Sequence, residues 1–180
     1  MRQILLRTLT VAFAASLAIG QGLPADIKGK VEAKAKALQV WSSDPAFVAA
    51  VREYNANTPA ESKAMTNEKW KTLTVLDPFA RSFTKNALAE HIKALRDETI
   101  SEAFVSGADG GKVAFLSKTT SWTHKGKEKH MTPMTGHTYF GPVEQDESTG
   151  QQQVQVGLPV LDAGKPIGSI VIGLSVSKLR

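Results

Sequence analysis

The side chains best suited to binding a small ligand lie in residues 118–136 and at the start of the segment that follows. This part of the chain combines aromatic rings with basic groups. An aromatic wall with one or two cationic donors, held over a sheet, is what a pocket for a small carboxylate ligand requires. The candidate ligand-binding residues are Trp122, His124, Lys129, His130, His137 and Tyr139. In the alternative interpretation Trp122 and Tyr139 plug the open end of the sheet, and the residue types leave both interpretations open.

Three of these candidates, His124, His130 and His137, are six and seven residues apart. Three imidazoles can form a zinc site, but neither spacing follows a helical or strand rule that would aim them at one point. We therefore expect structural or solvent-facing histidines. In the alternative, one or two of them hydrogen-bond an anionic ligand instead. No metal site and no cofactor is predicted.

The sequence contains no recognisable enzyme signature. The glycine-rich residues 107–112 lack the spacing of a phosphate-binding loop. A predicted strand follows them where such a loop needs a helix, so we interpret them as a hairpin turn. The chain has no cysteine, which excludes disulfides, thiolate metal sites and cysteine nucleophiles. These observations favour a binding protein over an enzyme.

The first twenty residues have the three-part form of a secretory signal peptide. A basic start precedes an uncharged apolar run at residues 9–19. This run is shorter than the roughly 20 residues of a comfortable membrane span. Small residues then precede Gln21, so we expect cleavage after Gly20 and a periplasmic or secreted protein.

The net charge of the chain is mildly positive. Lysine and arginine exceed aspartate and glutamate by 22 − 17 = +5, and removal of Arg2 and Arg7 with the signal peptide would leave +3. Basic residues are dense only at residues 125–129, where a solvated loop explains them. A nucleic-acid binder usually concentrates its basic residues on a patch or helix. Nucleic acid is therefore not an expected partner.

The first half of the chain has helical periodicity. Apolar residues recur at three-to-four spacing from residue 26 to residue 54, with a second helix start at Asp44-Pro45. Asp77-Pro78 is a similar start signal, and residues 86–99 have the clearest apolar stripe of all. We predict an N-terminal helical region over residues 21–57 and further helices up to residue 99.

The second half has the pattern of strands and tight turns. Apolar-rich segments at 102–106, 112–117, 138–144, 151–161 and 167–176 alternate with turn clusters at 108–111, 146–150 and 162–166. Residues 153–156 alternate glutamine and valine, as a half-buried antiparallel strand does. The sequence therefore predicts an α+β domain, in which N-terminal helices pack on a five-stranded antiparallel sheet.

Three segments of the second half resemble the Cache, or PDC, family of PAS-like extracytoplasmic sensor domains. Residues 104–114 are similar to the first hairpin of that family, and residues 141–148 to its third strand and turn. Residues 156–168 resemble its P-V-x-D-x-G-K-x-I-G hairpin. The domain would span residues 58–180. The resemblance implies a PAS-like sheet that binds small metabolites, often organic acids or amino acids, beneath an overlying loop.

The pocket loop departs from the stand-alone bacterial members of this family, which carry a run similar to S-D-Y-W-Q-G-D-E. Ser121, Gly126 and Glu128 match that run, whereas Trp122 and Lys127 stand where it has aspartates. The loop has become more basic.

These inferences predict an exported sensor domain that binds a small molecule. Family members usually signal through an attached membrane helix and a kinase or methyl-accepting module, and no such segment follows the last predicted strand. We therefore expect a separate membrane receptor or kinase as partner. The alternative is a structural or interaction module that forms a homodimer through its N-terminal helix, residues 27–40, without a ligand.

Overall fold

The computed structural model describes residues 23–145 and 150–179, which contain seven helices and one five-stranded sheet. The predicted signal peptide, residues 1–20, lies outside the described residues, as does most of the turn predicted at 146–150. Within the described part of the chain, no helix is both long and apolar enough to cross a bilayer.

Six helices precede the sheet, and two of the predicted start signals form the expected caps. Asp44 accepts a hydrogen bond from the N–H of Ala46, Asp77 accepts one from that of Phe79, and a proline follows each aspartate. Such caps satisfy N–H groups that have no partner within the helix. The helices are α1 (Ala25–Leu38), α2 (Pro45–Ala56), α3 (Ala60–Ala64), α4 (Asn67–Thr72), α5 (Pro78–Lys85) and α6 (Ala87–Leu95), with a 3-10 turn at Gln39–Ser43.

Helix α6 is shorter than predicted, because it ends at Leu95 and not at Thr99. Arg96 has extended backbone angles, and the Asp97 carboxylate accepts hydrogen bonds from the N–H and the hydroxyl of Thr99. This local bonding offers the backbone an alternative to another helical turn. The chain is thereby redirected into the first strand.

The second half folds into one antiparallel sheet with the strand order β2-β1-β5-β4-β3. Its strands are β1 (Ile100–Gly107), β2 (Lys112–Phe115), β3 (Tyr139–Gln145), β4 (Gln152–Asp162) and β5 (Lys165–Ser175). Ala163 and Gly164 join β4 to β5, and both have the positive φ that a type I′ hairpin turn requires. The predicted α+β class and five-stranded antiparallel sheet are confirmed.

One face of the sheet packs against α1, α2 and α6 and forms the larger hydrophobic core. Ala103 and Ile172 point to this face from β1 and β5, and Phe47 and Val51 meet them from α2; all four side chains are fully buried. Val31 brings α1 into the same core. The predicted N-terminal helical region and the sheet therefore share one core.

The opposite face is covered by α4, α5 and the connection between β2 and β3. Phe104 and Val171 point to this face and join an aromatic cluster. The other buried members of the cluster are Trp70, Ala80, Phe83, Phe115 and Trp122. The cluster closes the part of this face that lies towards β2.

The connection between β2 and β3 contains a helix that the prediction of a polar, loop-like stretch missed. Helix α7 (Glu128–Met134) has seven residues and Pro133 within it, so it is too short to produce a recognisable apolar period. It packs on β4 and β5. Gly157 makes this close packing feasible, since a Cβ there would lie 2.8 Å from the carbonyl oxygen of Lys129.

Candidate functional site

A polar cavity of about 220 Å³ lies on the face of the sheet that α7 covers. This volume is below the ~300–1,000 Å³ of pockets for drug-sized ligands. It suits a molecule with the size of an amino acid or a short organic acid. The cavity is lined by Glu102, Thr120, Lys129, Glu144, Gln145, Gln153 and Gln155.

An amide bridge orders the floor of this cavity. The Nζ of Lys129 donates a hydrogen bond to Oε1 of Gln155 at 2.8 Å, and Nε2 of Gln155 donates one to Oε2 of Glu102 at 2.9 Å. The neighbouring Gln153 accepts a hydrogen bond from the Ser101 hydroxyl at 2.7 Å. Gln153 and Gln155 are both buried, so their amides are held in place before any ligand arrives.

Gly173 of β5 leaves room for side chains from β4 and β1 to meet across β5. Gly173 pairs with Gln155 on one side and with Glu102 on the other. A Cβ at this position would lie 2.3 Å from Oε1 of Gln153 and 2.9 Å from the Ser101 hydroxyl. The side chain of Gln153 can therefore cross β5 because residue 173 has no side chain.

The charges of the lining favour a ligand that is not simply an anion. Lys129 contributes one positive charge, and Glu102 and Glu144 contribute two negative charges, so the lining totals −1 when all three are ionised. A ligand ammonium would be stabilised by the carboxylates, and a ligand carboxylate would be stabilised by Lys129 through a charge-assisted hydrogen bond.

A second polar group, the buried basic cluster, lies on the same sheet face and consists of Ser106, Lys112, His124, His130 and Ser169. Lys112 is fully buried; its Nζ shares a hydrogen bond with Nδ1 of His124 and donates one to the hydroxyl of Ser106. The same Nζ also lies 4.3 Å from the centroid of the Phe104 ring. Burial holds the pKa of Lys112 well below its ordinary value, and the charge of Lys129 acts in the same direction.

The two histidines of this cluster are held in the neutral form. Burial, followed by the charge of Lys112, lowers the pKa of His124 to about 2. Burial also lowers the pKa of His130, whose Nδ1 is 2.7 Å from the hydroxyl of Ser169. His130 follows Lys129 directly on α7, so this short helix presents one residue to the cavity and the next to the buried basic cluster.

The structure separates the six candidate residues into different environments. Lys129 lines the cavity, and His124 and His130 belong to the buried basic cluster beside it. Tyr139 is half-buried on the edge strand β3, where burial raises the pKa of its phenol. His137 is exposed and lies 3.0 Å from the Thr135 hydroxyl.

Trp122 packs within the aromatic cluster. Its ring centroid lies 5.2 to 5.4 Å from those of Trp70, Phe79 and Phe83, and only 2% of the residue is exposed. This packing corresponds to the plug interpretation. A ligand-binding role for the candidate residues stays a prediction.

Most of the cavity lining was missed by reasoning from the sequence. The glutamine–valine alternation predicted a half-buried strand, yet both faces of β4 are buried over residues 153–160. The alternation correctly places Gln153 and Gln155 on one face, but only the overlying connection makes that face an interior one. No sequence feature indicated that Glu102 lines a cavity, because a single acidic residue in a strand is normally solvated.

The described residues contain no group of three histidine, aspartate or glutamate side chains that could hold a metal ion. His124 and His130 are instead bonded to neighbouring side chains.

Comparisons with known proteins find likeness only at the level of structure. No family model matches the chain, and no curated protein matches its sequence. The sensor domain of the V. cholerae histidine kinase DctB aligns with a TM-score of 0.51 and 15% identity, over 85% of this chain and 53% of that domain. The chain therefore spans about half the length of that sensor domain.

Two chemoreceptor domains show weaker likeness. The ligand-binding domain of Campylobacter jejuni Tlp3 in complex with L-norvaline aligns with a TM-score of 0.43 and 15% identity, over 86% of this chain and 56% of that one. That of Pseudomonas aeruginosa PctC in complex with GABA has a TM-score of 0.39 and 14% identity, over 84% and 60%. The alignment with DctB shows that this chain shares the fold of that sensor domain.

Proposed function

We propose that this chain is an exported sensor module that binds a small molecule in the cavity between the sheet and α7. The observation that carries the proposal is the pre-ordered polar cavity, with the amide bridge as its floor, in a sensor-domain fold. Buried polar groups that converge on one small cavity are characteristic of binding sites. The proposal is for a binding module and not for an enzyme.

The ligand class that fits the cavity best is a zwitterion such as an amino acid. Lys129 would receive the ligand carboxylate, and Glu102 or Glu144 would receive its ammonium. A short organic acid is the second choice, because its two negative charges would meet two carboxylates and only one ammonium. The cavity volume of about 220 Å³ limits either class to small members.

The proposed place of action is outside the cytoplasm, in the periplasm or after secretion, because residues 1–20 have the sequence pattern of a signal peptide. DctB is a histidine kinase whose sensor domain has the same fold. By analogy, we propose that a membrane receptor or kinase recognises the ligand-bound form of this chain and transmits the signal. Co-purification of such a partner with the tagged protein, only when ligand is present, would test this step.

A thermal-shift and calorimetric screen of the purified chain tests the binding proposal. The panels are the common L-amino acids, short dicarboxylates and short diamines. A true ligand stabilises the fold by about 2.7 kcal/mol at a hundredfold excess over its Kd, which is readily measured. The proposal predicts that an amino acid binds, and it is abandoned if no compound of the three panels binds.

The variant Lys129→Met tests whether the ligand binds in the cavity. Loss of one charge-assisted hydrogen bond should weaken binding by ~10- to 100-fold. Lys125→Met is the matched control, since Lys125 is exposed and lies outside the cavity lining. Equal affinities for the two variants would place the binding site elsewhere.

The alternative, a homodimer through residues 27–40, has less support. The apolar residues Val31, Ala35 and Leu38 of α1 are buried in the core of the same chain. Val40 is the large apolar side chain of this segment that is mainly exposed, at 70%. Light scattering after size-exclusion chromatography would reveal a dimer, and a stable dimer without any ligand would favour the alternative.

A further inference from the structure

We infer that Gln155 is the specificity-determining residue of the cavity, because its amide keeps the cation of Lys129 apart from the carboxylate of Glu102. With the two charges held apart, the site selects a ligand that carries both a carboxylate and an ammonium. The inference rests on the proposed function and assigns the selection to one residue.

The orientation of the Gln155 amide is dictated by its two neighbours. Lys129 can only donate hydrogen bonds, so the group that it contacts at 2.8 Å must be the amide oxygen. An ionised Glu102 can only accept, so the group within 2.9 Å of its carboxylate must be the amide nitrogen. Rotating the amide by half a turn would place donor against donor and acceptor against acceptor.

The position of Gln155 prevents a direct ion pair between the two charges. Lys129 lies on α7 and Glu102 on β1, and Gln155 lies on β4 with only Gly173 of β5 between it and Glu102. Direct pairing would bring the two opposite charges into contact and weaken the attraction that Lys129 exerts on a ligand carboxylate. Within the described residues the amide of Gln155 uses one of the three N–H donors of Lys129, which leaves two for a ligand carboxylate.

Replacing the amide with a carboxylate of the same shape should reverse this selection. Gln155→Glu would pair a carboxylate with Lys129 and, with every carboxyl of the lining ionised, change the total charge from −1 to −2. A ligand carboxylate would then meet repulsion, and a ligand with two ammonium groups would be attracted. Gln155→Met, which has similar length and no hydrogen-bonding amide, would leave Lys129 and Glu102 able to approach each other.

The experiment measures the affinities of the wild-type chain and these variants by calorimetry. The probes are the amino acid that binds the wild type most tightly, succinate and 1,4-diaminobutane. We expect Gln155→Glu to weaken amino-acid binding by ~10- to 100-fold and to bind the diamine more tightly than the wild type does. Gln152→Glu is the matched control: Gln152 lies on the same strand but is exposed, so affinities should change by less than about twofold.

The outcomes separate this inference from the proposed function. Binding of an amino acid with unchanged affinity and charge preference in Gln155→Glu would overturn the inference alone, as would a wild-type preference for succinate. Absence of binding from every panel would overturn the proposed function and the inference with it. If Gln155→Glu does not fold, Gln155→Met is tested in its place. Wild-type affinity for the amino acid in that variant would overturn the inference.

Discussion

The Nζ of Lys112 lies 2.5 Å from Nδ1 of His124, although Lys112 is completely buried and His124 is only 6% exposed. The imidazole is neutral near pH 7, because burial and then the charge of Lys112 lower the pKa of His124 to about 2. The His124 ring also stacks on that of Phe104, with a centroid distance of 4.8 Å. A basic pair buried in this way makes the stability of the fold depend on pH.

We expect the fold to lose stability as the pH falls below 6.5, the ordinary pKa of histidine. The unfolded chain binds a proton at His124 below that pH, whereas the folded chain does not until about pH 2. The free energy of unfolding should therefore fall by up to ~1.4 kcal/mol per pH unit from this residue. The lowered pKa of Lys112 has the same effect at higher pH. The free energy of unfolding should continue to rise with pH until the pH reaches 10.5, the ordinary pKa of lysine.

Urea unfolding of the wild type and of His124→Gln, between about pH 5 and pH 8, checks this prediction. The variant should have a shallower dependence on pH than the wild type. His137→Gln is the control, because His137 is exposed and lies outside the buried basic cluster. Parallel pH profiles for all three proteins would show that His124 does not supply the dependence.

Trp122→Ala should destabilise the fold by ~3–5 kcal/mol, as expected for removal of a large buried aromatic side chain. The ring packs against Trp70, Phe79 and Phe83, so its loss leaves a cavity within the aromatic cluster. Thermal and urea unfolding provide the measurement. A variant that retains its melting temperature but loses ligand affinity would support the pocket interpretation of Trp122.

Gly157→Ala should destabilise the fold by roughly 1–3 kcal/mol, because the new Cβ would overlap the backbone of α7. That Cβ would lie 2.8 Å from the Lys129 carbonyl oxygen and 3.0 Å from the Pro133 ring, and a backbone atom cannot rotate away. Displacement of α7 should also move Lys129 and weaken ligand binding. Urea unfolding and calorimetry measure the two effects.

Gly29→Ala provides the contrast for this substitution. A Cβ at Gly29 meets nothing within 4 Å, and the residue lies inside helix α1. Alanine there should stabilise the fold by ~0.5–1 kcal/mol, because glycine is the poorer helix former. A loss of stability at position 29 equal to that at position 157 would argue against a specific contact between α7 and β4.

Ala163→Asn should stabilise the fold by roughly 0.5–1 kcal/mol, since asparagine followed by glycine is the preferred sequence of a type I′ turn. Ala163 has a φ of 48°, a region that alanine occupies at an energetic cost and asparagine tolerates better. Ala163→Val should destabilise the hairpin for the opposite reason. Equal melting temperatures for both variants would contradict the argument from backbone conformation.

Local features of the sequence determined much of the fold. The aspartate–proline pairs start α2 and α5, and glycine-containing clusters form the β1–β2 and β4–β5 turns, because caps and tight turns depend on only a few consecutive residues. The alternation along β4 likewise places Gln153 and Gln155 on one face. These features depend on residues that are close together along the chain, so they can be recognised without a structure.

The cavity was decided by tertiary structure. Gln155 is 53 residues from Glu102 and 26 from Lys129 along the chain, and the sheet register together with the packing of α7 brings them together. Neither α7 nor the burial of β4 on both faces has a local signature, because each depends on what lies across the sheet. The residue types predict that a basic connection overlies the sheet, but only long-range packing decides that Lys129 enters the cavity while Trp122 enters the core.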